Sequence, residues 1–142
     1  MSTEEIEAEI IDEFELFDDW TEKYQYIIEL GQKLPAFPPG EYKDENKIKG
    51  CQSSVWLITH FENGRIRFQA DSDSSIVKGL ISMLIRVLDN QTPEDILNAQ
   101  LKFIDAIGLQ QHLAQTRANG LAAMVKQMKN YALAYQSKFD NL

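Results

Sequence analysis

The chain has 142 residues, 44% of them hydrophobic and 25% charged, which supports one domain over residues 1–142 with its own core and no need of disulfide or metal staples. Its net charge of −8 argues against a nucleic-acid partner, whose phosphates require a basic footprint. No apolar run approaches the ~20 residues of a membrane span, and the start Met1-Ser2-Thr3-Glu4-Glu5 is acidic where targeting peptides are basic, so a cytoplasmic protein that touches no membrane is expected.

The acidity is uneven. Ten of the 22 acidic side chains lie in residues 1–22, which hold no Lys or Arg. Within that segment Ile6, Ile10, Phe14 and Phe17 recur at helical spacing, with Ser2 or Thr3 as N-cap, which predicts an amphipathic helix over 4–17. Its acidic face reads as a solvated surface or as a means of steering toward a basic partner. Trp20, Tyr24, Ile27 and Ile28 mark a second helix from 20 to about 34, stopped by Pro35. Residues 35–47 carry three prolines and many charges and read as a loop. Residues 47–49 are expected to add a short edge strand.

Residues 55–62 and 65–70 alternate as strands around Asn63-Gly64, the strongest short signal for a two-residue hairpin turn. Pairing across it sets Glu62 opposite Arg65, His60 opposite Arg67, Trp56 opposite Asp71 and Ser54 opposite Asp73. Val77, Leu80, Ile81, Leu84, Ile85 and Leu88 then follow the 3.6-residue period of a central helix over 76–88, capped by Asp73 or Ser74. Gly79 in its middle costs ~1 kcal/mol relative to Ala and implies close backbone approach. Thr92-Pro93 opens a short helix, residues 101–107 form another ended by Gly108, and Leu121 to Tyr135 carry a long C-terminal helix preceded by a connecting stretch at 116–120. The fold class is α+β, a small antiparallel sheet of hairpin plus edge strand packed on several helices.

Cys51 is the only cysteine, so it has no internal disulfide partner; it is a buried inert thiol, a nucleophile or a sulfur carrier. Gly50 before it and the polar Gln52, Ser53 and Ser54 after it place it on a loop tip. A Cys/His hydrolase or transferase needs a histidine at the thiol. His60 lies nine residues along a strand, roughly 20–30 Å away, which leaves His112 for the alternative reading. Metal sites fail on ligand count, the Asp71-Ser72-Asp73-Ser74 run lacks the glycine and glutamate of a calcium loop, and no nucleotide motif occurs. The N-terminus of the central helix is expected to favour a thiolate or persulfide anion at Cys51, opposed by Asp71 and Asp73. A thiol without a neighbouring base suits sulfur received from a partner's active site.

The motifs Trp20-Thr21-Glu22-Lys23-Tyr24, Ile27-Ile28-Glu29-Leu30-Gly31, Gly50-Cys51-Gln52-Ser53, Val55-Trp56, Asp71-Ser72-Asp73, Ile76-Val77-Lys78-Gly79-Leu80 and Arg117, Gly120, Leu121 together resemble the SufE family of cysteine-desulfurase partners. The Gln52-Ser53 and Asp71-Ser72-Asp73 segments resemble SufE more than its CsdE subgroup. The resemblance implies a fold shared with IscU-type scaffolds and no cofactor of the chain's own, pyridoxal phosphate (PLP) belonging to the desulfurase. It implies that Cys51 takes persulfide sulfur from a SufS-type cysteine desulfurase, stimulates it, and passes the sulfur on for iron–sulfur assembly on a scaffold such as the SufBCD complex. Gly50 and Gln52 then shape a loop that shelters the thiol and swings out on docking, and Asp73 and Arg117 match positions of the desulfurase contact. A homodimer is compatible with the same resemblance.

Overall fold

The computed structural model describes residues 1–140, with side chains through residue 138; Asn141 and Leu142 of the expected single domain lie outside the described residues. Helix α1 (Thr3–Phe14) starts at Ser2, whose hydroxyl accepts from the Glu5 amide while the Glu5 carboxylate accepts from the Ser2 amide, each at 3.1 Å, satisfying two orphan donors together. Its apolar stripe buries Ile10 and Phe14. Helix α2 (Trp20–Gln32) is capped by Asp19, which accepts from the Glu22 amide at 2.9 Å, and ends ahead of Pro35, which disfavours helical backbone at Leu34.

Strands β1 (Val55–Glu62) and β2 (Arg65–Ser72) form an antiparallel hairpin in the expected register, from Glu62↔Arg65 to Trp56↔Asp71. Asn63 and Gly64 both adopt positive φ, 55° and 76°, as the type I′ turn demands. The expected edge strand at 47–49 reduces to a single bridge between Lys47 and Trp56, because Gly50, at φ 92°, turns the chain away just beyond it. On the far side β2 is covered by residues 89–91: Ile66 exchanges backbone hydrogen bonds with Asn90 and Gln91, and the Phe68 amide donates to Asp89 at 2.7 Å.

Helix α3 (Ser75–Leu88), capped by Ser74 and not by Asp73, runs through the centre and touches α1, α2, β2 and the C-terminal helix. Leu80, Ile81, Leu84, Val87 and Leu88 are fully buried together with Leu57, Ile66 and Phe68 of the hairpin. Its polar stripe is not left to solvent. Arg86 pairs with Glu13 and Glu9 of α1, Ser82 donates to the Leu30 carbonyl, and Lys78 lies 3.2 Å from Asp71. Gly79 crosses Gly31 of α2 so closely that a Cβ at Gly79 would fall 2.1 Å from the Ile27 carbonyl oxygen.

Three short helices follow, α4 (Pro93–Asn98, capped by Thr92), α5 (Phe103–Ala106) and α6 (Leu109–His112), with Gly108 at φ 86° between the last two. Helix α7 (Gln115–Asp140) begins earlier than expected: the stretch 116–120 is helical, with Gly120 inside the helix. Lys129 of α7 donates to the Leu97 and Ala99 carbonyls, at 3.3 and 2.6 Å, satisfying acceptors at the end of α4. Among the described residues no helix is long and apolar enough to cross a membrane. The acidic face of α1 is partly turned inward as well. Glu7 is 5% exposed and accepts from the Phe103 amide at 3.0 Å, which gives α5 the cap its own sequence lacks.

Candidate functional site

The Cys51 loop leaves the hairpin through a narrow neck. On its N-terminal side the Ile48 amide donates to the Val55 carbonyl at 2.9 Å. On its C-terminal side the Ser54 amide donates to Asp73 Oδ1 at 3.0 Å, and Ser72 Oγ donates to the Ser54 carbonyl at 2.8 Å. Between these points the chain turns at Gly50, whose positive φ is closed to most side chains and whose missing Cβ would sit 3.3 Å from the Ala123 methyl.

Cys51 is half-buried, not at an open tip. Its thiol donates to the Gly120 carbonyl at 3.5 Å, and a Cβ at Gly120 would come within 3.5 Å of the sulfur. Beside it lies a cavity of about 280 Å³ lined by Gln52, Ser53, Val77, Arg117, Gly120 and Met124 among others. Burial pushes the Cys51 thiol above its ordinary value of 9.0. Burial and the Gly120 carbonyl, which takes a hydrogen bond only from the protonated form, both favour the thiol and so oppose the thiolate that a nearby helix N-terminus would favour.

The other expected residues divide. Gln52 and Arg117 are exposed and line the Cys51 cavity; among the described residues the Arg117 guanidinium has no ion-pair partner. Asp73 is exposed, but its carboxylate serves the loop neck. His112 is absent from the cavity lining; its ring stacks on Trp20 with centroids 4.1 Å apart, Nδ1 lies 3.0 Å from the Gly108 carbonyl, and its own carbonyl accepts from the Tyr24 hydroxyl. His60 is exposed beside Glu62, Arg67 and Asp89, in a separate cavity. Neither histidine is brought to the thiol. No group of three or more His, Cys, Asp or Glu among the described residues is placed to hold a metal.

Sequence reasoning missed the thiol's seat. Gly120, Val77 and Met124 build it from two helices, and nothing local in the connecting stretch at 116–120 signalled that Gly120 would lie in a helix against the thiol. It also missed Tyr42, whose hydroxyl donates to Asp71 Oδ2 at 2.5 Å from within the loop at 35–47. That loop contains two single turns of 3₁₀ helix, Pro39–Glu41 and Asp44–Asn46, and buries Phe37.

The sequence matches the SufE family profile, described as a domain associated with Fe-S metabolism, over residues 8–132. The chain belongs to the SufE family. It is 38% identical to an uncharacterised SufE-like protein of Rhizobium meliloti (strain 1021) over 129 residues, covering 87% of this chain and 92% of the relative. The fold also matches the solution structure of a hypothetical protein from Thermus thermophilus, with a TM-score of 0.76 over 93% of this chain and 96% of that one, at 20% identity. The second likeness bears on the fold alone. The segments around Cys51, Asp73 and Arg117 all lie within the matched residues 8–132, and the family links the chain to iron–sulfur metabolism.

Proposed function

We propose that this SufE-family chain is a cytoplasmic sulfur acceptor for a PLP-dependent cysteine desulfurase of the SufS type, an accessory protein with no turnover of its own. The observation that carries the reading is the Cys51 thiol, the chain's only one, sheltered at the cavity mouth with no histidine beside it. Such a thiol lacks the base an independent Cys/His enzyme requires, and it is suited to chemistry set up on another protein.

In the proposed step the Cys51 thiolate attacks the outer sulfur of a persulfide on the partner's cysteine. The partner's S–S bond breaks, its cysteine leaves as a thiolate, and a new S–S bond forms on Cys51, so one sulfur atom moves without any external oxidant or reductant. The half-buried seat disfavours the thiolate at rest, which holds the nucleophile back until the loop leaves Gly120. Arg117 and Asp73, both exposed, are the residues we assign to the partner contact, and the loaded sulfur passes on to a scaffold for iron–sulfur assembly.

Intact-mass spectrometry after incubation with a SufS-type desulfurase, PLP and cysteine tests this directly. A gain of one sulfur atom or more on Cys51, removed by reductant, is expected. Cys51→Ser is expected to abolish both the gain and the stimulation of the desulfurase while leaving the melting temperature unchanged. Full stimulation by the serine variant would sink the reading.

A further inference from the structure

Two stalks carry the Cys51 loop: the N-terminal one is tied to Asp71 through Tyr42, and the C-terminal one to Ser72 and Asp73, which follow Asp71 in the chain. On the N-terminal side, Tyr42 donates to Asp71 Oδ2 at 2.5 Å, and its ring is held between Phe37 and Trp56, each at a centroid distance of 4.9 Å. Six residues further on, Ile48 joins Val55, and Cys51 follows. On the C-terminal side, Asp71 Oδ1 accepts from the Ser72 amide at 2.8 Å and lies 3.2 Å from Lys78 Nζ. Ser72 Oγ and the Asp73 carboxylate then hold Ser54, which leads back to Cys51. Asp71 is also the residue opposite Trp56 in the hairpin, so the hub is rooted in the sheet.

Within the loop the holding is slight by comparison. Among the described residues, the thiol's contact with Gly120 is the only side-chain hydrogen bond made by residues 49–53. Those five residues can therefore leave their seat without breaking the neck, and the neck sets the origin from which they would move.

We infer that Tyr42 and Asp71 are positioning residues for sulfur acceptance: their hydrogen bond fixes the two stalks relative to each other, so that the released loop presents Cys51 to the partner's persulfide from one defined origin. Tyr42 touches no substrate in this role. It acts through Asp71, Ser72 and Ser54, and the inference rests on the sulfur-acceptor reading above. A misplacement of the order of 1 Å at a reacting atom is enough to cost a large factor in rate, while leaving the docking surface as it was.

The test compares the wild type with Tyr42→Phe, which keeps the ring between Phe37 and Trp56 and removes only the donor. Transfer is followed with a SufS-type desulfurase and cysteine at varied desulfurase concentration, and Cys51 in the free protein is alkylated with iodoacetamide. In Tyr42→Phe the maximal transfer rate is expected to fall about fivefold, with the half-saturating desulfurase concentration within about twofold of wild type. Alkylation of the free protein is expected to rise about threefold, because the loosened neck lets the thiol leave its seat more often. Asp71→Asn should mimic the loss, and the double variant should be no worse than Asp71→Asn alone, as for two members of one hydrogen bond.

A variant that transfers at the wild-type rate and alkylates no faster overturns the positioning role, as does one in which only the half-saturating concentration rises, since Tyr42 would then be a docking contact. Failure of the underlying reading has a different signature: the wild-type protein itself gains no sulfur on Cys51, whatever the alkylation rates show.

Discussion

The crossing of α2 and α3 and the loop of Cys51 are both built on glycine, and they use it in opposite ways. At the crossing, Gly31 and Gly79 bring two backbones together: a Cβ at Gly31 would fall 2.7 Å from the Gly79 nitrogen, and one at Gly79 would fall 2.1 Å from the Ile27 carbonyl oxygen. At the loop, Gly50 supplies a backbone angle and Gly120 leaves its carbonyl open to a single thiol at 3.5 Å. The first arrangement cannot relax without separating two helices. The second releases five residues for the loss of one long hydrogen bond. Sulfur acceptance as proposed above would use both, a frame that keeps its shape and a reactive segment that leaves its seat at small cost.

The contrast is broken most severely at the frame. Gly79→Ala places a methyl group against backbone that has no rotamer to adopt, and is expected to destabilise the fold by about 3 kcal/mol or more, read as a lower urea midpoint. If its midpoint matches wild type, the helices are free to part and the frame is not rigid in the sense argued here. A smaller effect is expected at the second brace of α3, where Arg86 pairs with Glu13 and Tyr26 donates to the same carboxylate. The Arg86 hydrogen bonds hold Glu13 below its ordinary value of 4.5, while burial and the Glu13 bond push Tyr26 up to about 12. A depressed carboxylate contributes stability that is present above 4.5 and lost as pH falls through the depressed folded value. Arg86→Leu should therefore cost roughly 1 kcal/mol at neutral pH, allowing for the solvent that reaches the pair, and should flatten the acid side of the stability profile. An acid limb as steep as wild type would remove Glu13 from the brace.

The frame was far more legible than the seat. Asn63-Gly64 admits one common hairpin geometry, so the register followed from the dipeptide and the alternation around it. The period of α3 placed the core, and a glycine in the middle of so apolar a helix pointed to a close crossing before any partner was known. The seat is made of contacts between segments far apart in sequence, and those leave little local trace. Asn119-Gly120 reads as a turn by composition, yet it lies inside α7, where the Gly120 carbonyl meets the thiol. The loop at 35–47 reads as unstructured by its prolines and charges, yet Phe37 and Tyr42 anchor it to the hairpin. Glu7, one acid among ten in its segment, is buried for the sake of a backbone amide 96 residues away. Proximity in sequence to the start of α3 likewise says nothing of the desolvation of Cys51, which opposes its thiolate.

The smallest expected effect is at the thiol itself, and it sharpens the comparison most. The folded Cys51 is raised above 9.0 by burial, so the closed seat favours the protonated thiol; the stability this lends is full below the unfolded value and is lost as pH rises through the folded one. Alkylation of the native protein should accordingly show a midpoint above that of the urea-unfolded chain, with a neutral-pH rate several-fold lower, and the two rates should converge as the medium becomes alkaline. A native midpoint at or below the unfolded one would mean that the helix termini around the loop stabilise the thiolate after all. The expected order has a mechanistic meaning. In its seat the sulfur keeps its proton and shares it with Gly120; out of its seat it meets water, recovers an ordinary acidity and becomes a nucleophile. In the proposed transfer, release and activation are then one event, and a loop held by so little would be both safe at rest and ready on docking.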